Sequence, residues 1–127
     1  MIPIYFDQVK AVIDKYAATG FVLETNVNFE RRPGDQGFLN GVISFVEGSQ
    51  LHFSEFLDQV GENVEKLMYT YHYQDSNKSL IFRYDNARHK PALPSPEHKH
   101  LPNQIIITSA PDLDDVLTEI VTMQKWV

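Results

Sequence analysis

Between Met68 and Asn86, large side chains recur at every second residue on both sides of the turn-forming run Asp75-Ser76-Asn77-Lys78. Tyr69, Tyr71 and Tyr73 come before that turn; Leu80, Phe82 and Tyr84 come after it. A period of two is the mark of a strand with one buried face, since a helix brings residues three and four apart to one side. The segment therefore predicts a β-hairpin. The simplest register sets Tyr69 opposite Tyr84, Tyr71 opposite Phe82 and Tyr73 opposite Leu80, which gathers the aromatics onto one face. The other face then pairs His72 with Ile81, Thr70 with Arg83 and Met68 with Asp85, making His72 and Arg83 diagonal neighbours at about 7–8 Å. Rings matched to Phe82 and Leu80 read as core more readily than as a platform for stacking bases.

The remaining segments are built around such a sheet. Pro3 suits a first helical turn, and Phe6, Val9, Ile13, Tyr16 and Ala17 recur at helical spacing, with Gly20 placed to end the helix in a left-handed conformation. From Phe21 to Glu30 the period becomes two. Arg31 to Gly37 reads as a turn, and Leu39, Gly41, Ile43 and Phe45 continue on one face. Gly48 in a left-handed turn would return Leu51, Phe53 and Glu55 beside them. The polar run Asp58 to Glu65 reads as a loop or bulge, and Ala87 to Asn103, holding four of the seven prolines, as a loop. Gln104 to Thr108 reads as a short strand. Ser109 or Asp112 can cap a last helix carrying Leu113, Val116, Leu117, Ile120 and Val121. The expected fold is one α+β domain: a largely antiparallel meander sheet of about five strands with an N-terminal and a C-terminal helix packed on it.

Composition excludes several classes of function. With no cysteine among 127 residues there is no disulfide, thiolate metal site or thiol nucleophile. No apolar run reaches the roughly 20 residues of a membrane span, and the N-terminal residues lack the form of a secretion signal, so a cytoplasmic protein without membrane contact is expected. The net charge of −6 is unevenly placed. Residues 66–104 hold 6 basic and 3 acidic side chains, against 4 and 10 in residues 1–65 and 1 and 4 in residues 105–127. His72, His89, His98 and His100 all fall in the one basic block. An acidic body thus carries one basic, histidine-rich region.

Phosphate-loop, nucleophile-elbow and dinucleotide-binding motifs are absent, so the chemistry on offer is that of this block. Arg83, Arg88, Lys90 and Lys99 can neutralise phosphates. Two histidines drawn from His72, His98 and His100 can serve as base and acid in a metal-free attack by a ribose 2′-hydroxyl, with Asp85 orienting either Arg83 or a histidine. The blander reading of Arg83 with Asp85 is a same-face ion pair, and of His52 a solitary surface residue. His98 and His100, two apart on an extended segment, also have the spacing to share a metal, with His89, His72 or Asp85 completing the ligands, although Lys99 between them opposes a cation. No cofactor is otherwise called for. Glu97 beside the pair reads as a general base or a solvated charge.

The segments Tyr71-His72-Tyr73-Gln74, Leu80 to Ala87, His89, Pro91 and His98-Lys99-His100 resemble the TumE-type toxins of prokaryotic toxin–antitoxin pairs. The family pattern runs Y-x-YHYQ, a turn, LIFRYDNAPHHP, then FPHHKH; this chain departs from it at Arg88, Lys90 and Glu97. The upstream hairpin with Gly41 and Gly48-Ser49 and the last helix are similar too. The resemblance implies a growth-inhibiting toxin of a type II pair, partnered by an antitoxin with a helix-turn-helix domain. A metal-independent ribonuclease is then one reading, with His72, Arg83, Asp85, His98 and His100 catalytic and Arg88, His89, Lys90 and Lys99 binding RNA. The other is a non-enzymatic domain that binds protein, nucleic acid or metal through residues 66–104. Exposed strand edges leave room for a homodimer.

Overall fold

A computed structural model of the chain describes residues 1–88 and 92–127. Helix α1 (Ile2–Ala17) is followed by strands β1 (Val22–Arg32), β2 (Gln36–Phe45), β3 (Gln50–Val60), β4 (Asn63–Gln74), β5 (Leu80–Asp85), β6 (His98–Leu101) and β7 (Gln104–Ile107), and then by helix α2 (Leu113–Met123). The strands form one antiparallel sheet in sequence order, a seven-stranded meander rather than the expected five. Two stretches expected to be loops contribute to it. The ladder of β3 and β4 runs on through Asp58↔Glu65 and Val60↔Asn63, closed by a tight turn with Gly61 at φ +62°. The segment expected to be a loop between Ala87 and Asn103 contains β6, paired to β5 on one side and to β7 on the other.

Both helices lie on the same face of the sheet, because alternation puts the large apolar groups there. Leu39, Ile43 and Phe45 on β2, Leu51, Phe53 and Leu57 on β3, and Tyr69, Tyr71 and Tyr73 on β4 are buried beneath Phe6, Val9 and Ile13 of α1 and Val116, Leu117 and Ile120 of α2. The three tyrosines are core, as their pairing implied. α1 ends at Ala18 in a right-handed conformation, with the Thr19 hydroxyl donating to the Tyr16 carbonyl, so Gly20 is not its left-handed terminator. α2 begins with a reciprocal cap: Asp112 accepts from the Asp115 N–H (2.7 Å) while Asp115 accepts from the Asp112 N–H (3.0 Å). No helix among the described residues is long and apolar enough to cross a membrane.

The β4–β5 register differs from the simplest one by two residues. Tyr71 faces Tyr84, His72 faces Arg83, Tyr73 faces Phe82 and Thr70 faces Asp85, with a bulge at Ile81. The turn causes this shift. Asp75 accepts from the N–H groups of Asn77 and Ser79, its own N–H reaches the Ser79 carbonyl, and Lys78 takes φ +65°, so the loop closes one residue later than expected. The bulge absorbs the second residue. A slip of two preserves the faces from Phe82 to Asp85, so that part of the predicted core survives while cross-strand partners change; at the bulge Ile81, expected on the other face, packs against the core.

A buried polar chain crosses the helix-covered side. Glu55, fully buried on β3, accepts from the hydroxyls of Tyr5 on α1 and Tyr71 on β4 (2.5 Å for Tyr71), and Lys66 donates to Tyr71 (2.7 Å) and to the Pro111 carbonyl ahead of α2. Burial and then the Glu55 charge hold both tyrosines far above the usual phenol range, while burial pulls Lys66 below the usual lysine value. These bonds tie both helices to the sheet centre. Replacing Glu55→Ala takes the acceptor from the Tyr5 and Tyr71 hydroxyls and a buried counter-charge from Lys66; a loss of about 3 kcal/mol is expected in urea unfolding. A loss below about 1 kcal/mol would show that the chain of bonds is dispensable.

Candidate active site

The face opposite the helices carries the polar members of every alternation. Successive partners line up in rows across the strands: His52 faces His72, His72 faces Arg83 and Arg83 faces His100. In the adjacent row Ser54 faces Thr70, Thr70 faces Asp85 and Asp85 faces His98. The five residues read from the sequence as catalytic therefore share one face and two neighbouring rows, with His72 directly opposite Arg83 rather than diagonal to it.

Asp85 is the centre of this group. Its carboxylate is buried, and Arg83 Nε donates to Oδ2 at 2.8 Å while the Ala87 N–H donates to Oδ1 at 3.1 Å. His98 Nε2 lies 2.9 Å from Oδ1 and His100 Nε2 lies 3.7 Å from Oδ2. The His98 ring, 1% exposed, has Nδ1 at 2.7 Å from the Pro96 carbonyl; a carbonyl only accepts, so Nδ1 carries a proton. Nε2 of His98 is also 3.0 Å from Nε2 of His100. A proton on either Nε2 thus has a partner within reach.

The exposed members are the ones able to meet a substrate. The side chains of Arg83 and His100 are 40% and 24% exposed against 5% for Asp85. Arg83 Nη1 stands 3.4 Å from His72 Nδ1, and the His72 ring lies 6.4 Å from that of His52. Burial, then the Arg83 guanidinium, with a smaller push from His52, holds His72 below the ordinary histidine value, against the opposing effect of its hydrogen bond to Gln74. His72 is therefore held neutral near pH 7, the form a base needs. His52 is not the solitary residue its sequence context implied; its partner is in another strand, which only the register discloses.

Two of the residues expected to bind substrate are described, and neither joins this group. Lys99 points to the helix side, where its ammonium donates to Glu119 at 2.6 Å and rests over Phe82 and Tyr84. Arg88 is exposed beside a separate hollow lined by Leu93 and Pro96. Glu97, half-buried, accepts from the Tyr69 hydroxyl. His89 and Lys90 lie outside the described residues.

Asp85, His98 and His100 each offer a ligand atom, and these lie within 4.8 Å of one another. The Pro96 carbonyl on His98 and the Arg83 guanidinium on Asp85 stand where outer partners of metal ligands are found. The donor set fits a divalent ion such as zinc with three protein ligands. Without a metal, the same atoms form a pair of imidazoles in contact with each other and with a carboxylate, beside a guanidinium.

No curated protein and no solved structure shows significant similarity to this chain. Residues 10–127 match the family described as Toxin TumE, a span from the middle of α1 through α2 that includes the whole sheet and every residue of the site. The chain belongs to the TumE family of toxins.

Proposed function

We propose that this toxin is an RNA-cleaving enzyme that acts in the cytoplasm without a metal and is held in check by a helix-turn-helix antitoxin in a type II pair. The observation that carries the reading is the order His72, Arg83, His100 along one row, a guanidinium flanked by two imidazoles on an uncovered face. Arg83 binds the scissile phosphate and gains strength as charge builds on it. Neutral His72 takes the proton of the ribose 2′-hydroxyl as its oxygen attacks phosphorus. His100, protonated, gives a proton to the departing 5′-oxygen, leaving a 2′,3′-cyclic phosphate and a 5′-hydroxyl. Asp85 and His98 are positioning residues: they fix Arg83 and His100 and supply the path by which His100 regains its proton.

Convergence of Asp85, His98 and His100 supports a second reading, in which the same atoms bind a divalent ion and His100 is a ligand. The two differ in their response to a chelator. On the first, purified protein cleaves RNA in excess EDTA; cleavage lost to EDTA and restored by zinc, with one zinc per chain by elemental analysis, selects the second.

Arg83→Ala and His100→Ala are each expected to lower RNA cleavage about 100-fold or more without loss of fold by circular dichroism. Lys99→Ala, on the helix side, should leave cleavage within a few-fold and lower only the unfolding midpoint. If the Arg83 and His100 variants arrest growth with full potency, the toxin acts by binding and not by catalysis.

The His72 titration gives an independent check. Its proton NMR titration should fall below the ordinary value of 6.5 and move up in Arg83→Ala, where the neighbouring charge is gone. The acidic limb of the kcat/KM profile should accordingly lie below pH 6.5. Because the folded chain takes this proton less readily than the unfolded chain, the contribution of His72 to stability is present above pH 6.5 and is lost as the pH falls through the folded-state value. A His72 titration at or above 6.5 would remove it from the role of base.

A further inference from the structure

The open face continues beyond the row of histidines. A groove of about 930 Å³ runs over β1 to β5, and none of its described lining residues is acidic, although the chain carries a net charge of −6. Beside Val42 and Phe53 its walls carry amides, hydroxyls and cations, among them Asn28, Asn40, Gln74, Lys78 and Arg83. Asn28 and Asn40 face each other in the middle of the β1–β2 ladder, positions where asparagine adds little to strand stability. At its far side the groove shares Ser54 and Thr70 with a smaller hollow of about 180 Å³ lined by Arg32, Phe38, Phe56 and Met68.

Phe38 and Phe56 are direct cross-strand partners on this uncovered face, each only half-buried. The Arg32 guanidinium carbon stands 4.8 Å from the centre of one ring and 5.6 Å from the other, and Arg32 Nε is held by Glu30 at 3.4 Å. The core does not account for these rings, since the helices lie on the opposite face. By strand spacings they sit roughly 17 Å from Arg83, the reach of a short oligonucleotide past the hydroxyls of Ser54 and Thr70.

We infer that Phe38, Phe56 and Arg32 form a stacking subsite for an unpaired base of single-stranded RNA, whose backbone crosses the groove to Arg83. This inference rests on the ribonuclease reading and specifies its substrate class. Flat rings and a guanidinium, the latter shared with Glu30, at the end of a groove whose described lining holds no carboxylate suit a polyanion whose bases are splayed out. Asn28 and Asn40 can pair with base edges, whereas a duplex keeps those edges and ring faces turned inward.

The test uses the full chain carrying His100→Ala to silence cleavage, and a fluorescein-labelled single-stranded RNA decamer followed by anisotropy. Phe38→Ala and Phe56→Ala are each expected to weaken binding about tenfold, Phe38→Tyr and Phe56→Tyr to retain it, and a duplex of the same sequence to compete poorly. In chains that retain His100 the alanine variants should raise KM with kcat little changed. RNA cleavage with binding and KM unchanged in the alanine variants overturns the stacking subsite and leaves the ribonuclease reading standing. Absence of RNA binding by any form overturns both. Loss of binding to the purified antitoxin, with RNA binding intact, gives this face to a protein partner and likewise overturns the subsite.

Discussion

The alternation along β4 is the constraint from which the other features descend. Tyr69, Tyr71 and Tyr73 must all leave water, and a strand can send them only to one side. That side becomes the floor on which α1 and α2 rest, with Glu55, Tyr5 and Lys66 wired into it through Tyr71. Thr70, His72 and Gln74 are thereby sent to the other side. With both helices attracted to the aromatic floor, the opposite face stays open. The core and the open surface are two consequences of one period-two pattern.

Electrostatics divides the open face by depth. Asp85 and His98 are buried, and both carboxylate oxygens of Asp85 have a donor or an imidazole against them, as a buried carboxylate requires. Arg83 and His100, attached to them, reach solvent. Charged groups that touch a substrate are thus held by groups that do not, which limits the side-chain freedom lost when a substrate arrives. Two carboxylates elsewhere work differently: Glu119 takes up Lys99 and the Tyr84 hydroxyl on the helix side, and Glu97 takes up Tyr69. The basic block of the sequence is therefore less basic in space than its composition implies.

Legibility in the sequence follows the range of the interaction. Faces depend on local alternation, so the buried tyrosines, the helices and the shared side of His72, Arg83 and Asp85 could all be read. Cross-strand partners depend on turn and bulge geometry: the turn at Asp75–Ser79 moved the pairing of Leu80 by one, and the bulge at Ile81 brought the shift to two from Phe82 onward. Partners two or more strands apart leave no local trace, which is why His52 looked solitary. Lys99 failed as a phosphate ligand for the opposite reason. Alternation alone puts it on the side away from His98 and His100, a consequence that its position in an expected loop concealed. The asparagines of β1 and β2 were a signal passed over: residues poor at forming strands, set in strand centres, call for a reason outside the strand.

Strand β6 shows most clearly how fold and site are joined. His98-Lys99-His100-Leu101 has little intrinsic preference for extended structure and follows a proline-rich stretch, so by local energetics it should remain a loop. Its ladder with β5 places Asp85 opposite His98 and Arg83 opposite His100. The side-chain bonds across that ladder are the bonds of the site, and on the helix side Lys99 closes onto Glu119. The contacts that hold β6 in the sheet are thus the ones that assemble the two histidines. A chain in which β6 detaches loses the site as a unit, because Asp85 loses His98 and the row ends at Arg83. Stability of this edge and competence of the site are thus coupled through Asp85, a buried carboxylate that must keep its partners.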